Sequence, residues 1–223
     1  MTLRTHFERK LNDLREEILA MARLVENQLQ TALTAFAARD SELAQQVTAA
    51  DRAVNKARFA IEEKCFSLIV TQQPAARDLR TIITAMNIIV DLERMGDQAK
   101  GVAKAILRLA AMPAEASPPE IQQMGEQVLQ MLSQAMIAFA HGNTDLALIV
   151  ARQDDAVDAL YARAFNRIMA QIAAAGSPER AEAAYELLRV ARELERVGDL
   201  VTNVGERIIY METGTLEEIN VDG

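Results

Sequence analysis

Glu93 and Asp97 stand four residues apart in the run Glu93-Arg94-Met95-Gly96-Asp97, and Glu195 and Asp199 do so in Glu195-Arg196-Val197-Gly198-Asp199. On a helix this spacing puts both carboxylates one turn apart on one face. Two such like charges repel mildly, and a glycine inside a helix costs about 1 kcal/mol relative to alanine. Both costs are incurred twice, which points to a use that offsets them. The chemistry open to such a face is cation binding, because oxygen-rich carboxylate sets suit hard cations and ferric iron.

A second acid-bearing segment precedes each motif. Asp51 lies four residues before Asn55, and Asp154 four before Asp158. From Asp51 to Glu93 is 42 residues, and from Asp154 to Glu195 is 41. Two matched features at matched separation indicate an internal duplication of a three-helix unit. Side by side, the two helices of each half would offer up to four oxygen ligands: Asp51, Asn55, Glu93 and Asp97 in the first, Asp154, Asp158, Glu195 and Asp199 in the second. A helical wheel at about 100° per residue turns these acids of the third helix away from the apolar stripe, with Gly96 and Gly198 on the shoulder between. The halves differ further along that face. The first presents Lys100 and Lys104, the second Thr202 and Glu206. With Lys100 able to neutralise Asp97 and with Asp158 in place of Asn55, the stronger cation site is predicted in the second half. The plain alternative is a solvated acidic helix face. Arg94 and Arg196 fall off that face, toward another helix or a partner.

The elements that must position these groups are helices. Apolar residues run Leu11, Leu14, Ile18, Met21, Val25, Leu29, Leu33 near the N-terminus and Leu187, Val190, Leu194, Val197, Val201, Val204, Ile208, Met211 near the C-terminus, in the steps of three and four of a bundle-facing stripe. Strand-like alternation is absent at useful length. Six helices are predicted, about 3–38, 41–72, 75–111, 118–141, 143–175 and 178–211. Asp40-Ser41 is read as a cap, Pro74 as the start of the third helix, Ser117-Pro118-Pro119-Glu120 as a capping box, Gly142-Asn143 as a stop and start, and Ser177-Pro178 as a cap. The expected fold is all-α: two pseudo-symmetric antiparallel three-helix bundles, over 1–114 and 115–212, with a loosely ordered tail over 213–223.

Composition narrows the function. The 223 residues carry 24 Lys and Arg against 32 Asp and Glu, a net charge of −8. That balance argues against nucleic-acid binding and against an anionic membrane surface. No apolar run approaches the roughly twenty residues of a membrane span, so no direct membrane insertion is expected. One cysteine, Cys65, suits a reducing cytoplasm and reads as a small core residue. No phosphate loop, dinucleotide fingerprint or nucleophile arrangement is present, so no enzyme is expected. A di-iron carboxylate enzyme would use Glu-x-x-His pairs. The two histidines, His6 and His141, have Leu3 and Ala138 three residues before them. Met21, Met86, Met95, Met124, Met131, Met136 and Met169 fall at helical spacings and are expected to fill core gaps.

Gln73-Pro74, Asp78-Leu79-Arg80, the two Glu-Arg-x-Gly-Asp motifs and the Asp51-x-x-Val-Asn and Asp154-x-x-Val-Asp segments together resemble the PhoU family of phosphate-transport regulators over about residues 4–212. The resemblance implies a cytoplasmic negative regulator of phosphate uptake and of the phosphate-starvation response. It would be an adaptor between the ATPase subunit of the phosphate ABC transporter and a sensor histidine kinase, commonly a homodimer. It also implies iron or another cation at the paired acids, with Glu93, Asp97, Glu195 and Asp199, joined by Asp51, Asp154 and Asp158, as ligands. Asn55 departs from an all-carboxylate set. A metal-storage or metal-sensing bundle is the alternative function.

Overall fold

The computed structural model describes residues 3–215. Among them the helices are α1 (Leu3–Ala38), α2 (Ser41–Gln72), α3 (Arg77–Leu109), α4 (Pro119–His141), α5 (Thr144–Arg152), α6 (Asp154–Ala173) and α7 (Pro178–Thr213), with no strand. The first three pack on one another, as do α4 to α7. The two sets join chiefly along α3 and α7, which run antiparallel, and secondarily where α1 meets α4. Ion pairs fix the directions: Lys64 of α2 reaches back to Glu17 of α1, and Arg4 at the start of α1 pairs with Asp78 at the start of α3.

The apolar stripes read from the sequence are the core. Leu14, Ile18, Met21, Val25 and Leu29 of α1 and Leu187, Val190, Leu194, Val197, Val201, Val204 and Ile208 of α7 are fully buried. Cys65 is buried and free, and burial pushes its thiol up to about 12, so it packs as a small apolar group. Met21, Met95, Met124, Met131 and Met136 fill the core, while Met169 is exposed.

Several helix ends follow their local chemistry. Asp40 accepts from the Glu42 and Leu43 N–H groups at 2.8 and 3.0 Å, Asn143 from that of Leu146 at 3.0 Å, and Ser177 from that of Arg180. Gly142 ends α4 in the left-handed region, where a Cβ would be strained.

Three expectations about boundaries are corrected. The third helix starts at Arg77, not at Pro74, because Gln73 and Ala76 both take positive φ and turn the chain before it. The capping box at Ser117 does not form: Pro118 flanks α4 with no side-chain cap, and the buried Glu120 pairs with Arg167 at 2.9 Å instead. The fifth helix is interrupted at Gln153, whose N–H bonds back to Val150 and Ala151 while its side chain donates to Gln134 at 3.0 Å. This break opens α6 on Asp154. At the other end, Glu212 and Thr213 continue α7, and the rest of the expected tail, from residue 216, lies outside the described residues.

Candidate functional site

Each repeated motif sits on the last helix of its half and faces the helix before it. In the first half, Gly96 lets α3 close on Val54 of α2 and on Gln28 of α1: a Cβ there would lie 3.1 Å from Gln28 Oε1 and 3.4 Å from Val54 Cγ1. Gln28 is buried and donates to the Val47 and Gly96 carbonyls. In the second half, a Cβ at Gly198 would overlap Asp154 Oδ1 outright. The glycine therefore makes room for the carboxylate itself.

The buried members come from the helix just before the motif helix in each half, α2 and α6. Asp51 and Asp154 are each only 5 % exposed. They lie inside the seam between helices rather than on a solvated face, while Asp97, Asp158 and Asp199 are exposed and Glu93 and Glu195 are half-buried. The acidic face read from the sequence is thus the open lip of a seam whose floor is one buried aspartate.

The floors differ. Asp51 Oδ2 accepts from Lys100 Nζ at 2.7 Å and from Asn55 Nδ2 at 3.1 Å. Lys100 also stands 3.6 Å from Asp97 Oδ1. The lysine expected to neutralise Asp97 along its own helix reaches mainly across to Asp51, which raises the Lys100 pKa above its ordinary value. Glu93 is raised by burial first and by Asp97 next, against the pull of Arg58.

At the equivalent of Lys100 the second half has Thr202, 6 % exposed. Neither its hydroxyl nor Asp154 Oδ1 completes a hydrogen bond, and both atoms are sealed from solvent. Burial, then Asp158 and Asp199, push the Asp154 carboxyl up to about 7; the facing Thr202 hydroxyl acts the other way and Glu195 adds to the rise. Glu195 is raised by burial, then Asp199 and Asp158. Asp199 is raised by burial and then Asp158, and Asp158 by burial and then Asp155. All four acids predicted for the second half therefore share one field. In the first half Asp51, Glu93 and Asp97 do so with Lys100 among them.

The donor set is entirely oxygen, and its floor holds an unsatisfied buried carboxylate oxygen beside an unsatisfied hydroxyl. Oxygen donors are the type a hard cation prefers. Among the described residues, however, no group of three or more carboxylate, imidazole or thiol side chains stands ready to enclose an ion. The acids line the seam without closing over it. A cavity of about 740 Å³ lies elsewhere, between the ends of α1, α3 and α4, among Leu33, Phe36, Leu109, Pro118 and Leu129. It contains none of the repeated acids.

Arg94 and Arg196 turn back along their own helices to Asp91 at 3.8 Å and Glu193 at 4.0 Å. These two acids lie at equivalent positions in the α3–α7 contact. Burial raises Asp91 to about 6 against Arg94 and Arg207, and raises Glu193 against Arg196, Arg192 and Lys104. Sequence reasoning missed Gln28, Asp91, Glu193 and Gly101, against whose position Glu193 packs. Only their matched placement, each two residues before the glutamate of its motif, could have found Asp91 and Glu193.

An all-helical chain built twice from one three-helix unit, with a glycine-lined acidic seam in each copy, is a duplicated helical-bundle protein. A family model described as the PhoU domain matches the chain twice, over residues 18–106 and 121–208. The chain belongs to the PhoU family. It is 37 % identical to the phosphate-specific transport system accessory protein PhoU homolog of Pseudomonas aeruginosa, over 94 % of this chain and 86 % of that one. The crystal structure of PhoU from Pseudomonas aeruginosa superposes with a TM-score of 0.88, covering 94 % of this chain and all (100 %) of the other. That of the phosphate transport system regulatory protein PhoU from Streptococcus pneumoniae does so with a TM-score of 0.87 at 33 % identity, covering 95 % and 99 %.

Proposed function

We propose that this protein is a negative regulator of phosphate uptake and of the phosphate-starvation response, a non-enzymatic adaptor between the ATPase subunit of the phosphate transporter and its sensor histidine kinase. The observation that carries the reading is the likeness along nearly the whole chain to proteins described as accessory or regulatory to phosphate transport. The surface is consistent with docking. Phe59, Phe66 and Val70 are exposed on the outward side of α2, spaced as turns of one helix face that an ordinary solvated helix would fill with polar groups. No helix among the described residues is long and apolar enough to cross a membrane, which agrees with action from the cytoplasm. A second copy of this chain is a further proposed partner.

Phosphate status would act by changing the populations of complexes between adaptor, ATPase and kinase. The test is a deletion strain: phosphate-responsive genes should stay on in phosphate-rich medium, and tagged protein should retain both partners on purification. Normal repression in the deletion strain overturns the role.

A second reading rests on the orphaned Asp154 and Thr202 oxygens. The seam of the second half takes up iron or another hard cation on Asp154, Asp158, Glu195 and Asp199, with Asp51, Glu93 and Asp97 as the poorer first-half set. A bound cation would supply positive charge where four acids now repel. It would serve either as an accessory to regulation or in a metal-storage or sensing role. Elemental analysis of protein purified without added metal, with Glu195→Ala and Asp199→Ala controls, separates the two uses: loss of metal with regulation intact makes the cation accessory.

A further inference from the structure

Exposed apolar side chains recur at equivalent places in the two halves. Phe66 of α2 and Ile83 of α3 are exposed in the first. Met169 of α6 follows the one by 103 residues and Tyr185 of α7 follows the other by 102, and both are exposed too. The same offsets relate Asp51 to Asp154 and Glu93 to Glu195, so the duplication carries this apolar pair along with the acids. Ile83 lies about 40° around α3 from Asp97, and Tyr185 about 40° around α7 from Asp199. Each pair therefore opens on the same side as its acidic lip. The first patch is the larger. Phe59, Val70 and Val90 extend it, where the second half has Ala162, Ala173 and Arg192. Single exposed apolar residues are ordinary, but a cluster repeated in both copies marks a contact surface.

Both patches lie on one side of the molecule. α3 and α7 pack against each other, α2 packs on α3 and α6 on α7, and α1 and α4 form the layer behind. Because α1 touches both α2 and α3, the lip of their seam opens away from it, and α4 stands in the same relation to α6 and α7. α3 and α7 are antiparallel, with Arg108 paired to Glu186 at one end and Arg77 to Glu212 at the other. Ile83 therefore sits near one end of this face and Tyr185 near the other. From Ile83 to Arg108 is 25 residues, a helix rise of about 38 Å. Toward the middle of the face each patch gives way to acids. Glu93 stands ten residues past Ile83, and Glu195 ten past Tyr185, about 15 Å along the helix.

We infer that the two patches form one docking surface for a twofold-symmetric partner, which lays two copies of the same amphipathic helix along the α2–α3 and α6–α7 seams. The inference rests on the adaptor reading above and supplies the partner's symmetry and surface chemistry. Each helix brings apolar anchors to the Phe66–Ile83 or the Met169–Tyr185 patch. About three turns further on it carries Lys or Arg, for which the acidic lips provide the complementary charge. Two identical elements of a symmetric dimer stand in the relation that the duplication imposes on the patches. A single copy of such a helix reaches only one of two sites about 40 Å apart. Engaging both makes the second contact intramolecular, so two weak anchors give one firm complex. The larger first patch is the stronger anchor.

The test uses the full chain with the detergent-solubilised phosphate transporter, carrying its ATPase subunits, and with the full-length kinase, each in phosphate-rich buffer. Light scattering gives stoichiometry and surface plasmon resonance gives affinity. Four proteins are compared: wild type, Phe66→Gln with Ile83→Gln, Met169→Gln with Tyr185→Gln, and Ile149→Gln, which alters an exposed apolar residue of α5 outside both patches. All five positions are exposed, and circular dichroism checks that the helices persist. The result expected with at least one partner is one chain per two partner protomers. Either patch variant lowers affinity by about tenfold or more, the first-half variant more than the second, while Ile149→Gln binds as wild type and added salt weakens the complex. Dependence on one patch or on neither overturns the inference and leaves the adaptor reading standing. So do one chain per partner protomer, an affinity indifferent to salt, and an equal loss in Ile149→Gln. Wild-type self-association that the patch variants abolish, with both partners still bound, assigns the face to a second copy of this chain and overturns the inference as well. Wild type that binds neither partner overturns the adaptor reading and the inference together.

Discussion

A single buried carboxylate, Asp154, concentrates the electrostatic cost of this fold. Its carboxyl is pushed up to about 7 by burial and by Asp158 and Asp199, whereas an unfolded aspartate titrates near 3.9. Between about pH 4 and 7 the folded chain keeps a proton that the unfolded chain has released. Stability therefore falls as pH rises through that window, by up to about 1.4 kcal/mol per pH unit from this group. Asp154→Asn keeps the shape and removes the charge. In metal-free protein it is expected to be more stable than wild type at pH 8, by about 2 kcal/mol, with the difference shrinking toward pH 4; urea unfolding at the two pH values checks this. Glycine substitutions read the same seam sterically. Gly96→Ala meets only the amide end of Gln28 and Val54 at 3.1 and 3.4 Å, and its gain in helix propensity of about 1 kcal/mol leaves the melting temperature near or above wild type. Gly198→Ala pushes on Asp154 itself, so its expected signature is a weaker pH dependence of stability as that carboxylate is forced toward solvent.

At the scale of elements, the contacts that decide geometry are those where helix backbones approach. A Cβ at Gly205 of α7 would come within 3.0 Å of the Ala147 carbonyl oxygen of α5, whereas one at Gly101 of α3 would meet the Glu193 side chain at 2.7 Å. A backbone carbonyl in a packed helix cannot swing aside, while a glutamate can. Gly205→Ala is expected to destabilise by about 1–2 kcal/mol after its helix-propensity gain, and Gly101→Ala by less, as thermal unfolding of the two variants would show. The close approach at Gly205 also draws α5 against α7 just before the chain breaks at Gln153, and that break places Asp154 and Asp155 in the first turn of α6, where the helix dipole favours negative charge. The second half thus differs from the first in backbone as well as in charge.

At the scale of the whole molecule, arginines of α3 fasten α7 at both ends. Arg80 donates from Nε to the Met211 carbonyl at 3.0 Å and lies 6.0 Å from the centre of the Tyr210 ring, and Arg77 pairs with Glu212 at 2.7 Å. At the far end Arg108 pairs at 3.0 Å with Glu186, which is buried and also held by Arg189. The Asp78-Leu79-Arg80 segment thereby acquires a structural role: Asp78 ties α1 through Arg4, and Arg80 caps the Met211 carbonyl in the last turn of α7. Arg80→Ala is expected to cost about 1–2 kcal/mol and to speed hydrogen exchange over the last two turns of α7 while leaving the Arg108 end protected. Uniform acceleration along α7 would show that the two ends are not independent clamps.

The apolar stripes of α1 and α7, the duplication, the acid motifs with their shoulder glycines, and the lysine-for-threonine exchange were legible in the residues alone. Periodicity reports one helix's own geometry, and a repeat reports itself. The start of α3 at Arg77 and the break at Gln153 were not legible, because neither carries a local stop of its own: the first follows from two positive-φ turns, and Gln153 is held by Gln134 from another helix. The same limit hid the depth of Asp51 and Asp154. A helical wheel assigns a direction but not what stands in that direction, so a residue turned from its own core stripe reads as solvated until a neighbouring helix covers it. By itself the sequence determined the helical class, the twofold construction and which residues form each seam, since those depend on spacing along one chain. Only the tertiary structure decided that Lys100 reaches Asp51 rather than chiefly Asp97, and that Asp154 is left unpaired on the floor of its seam. Those outcomes depend on which side chains converge across helices, and on how much water the packing excludes around them.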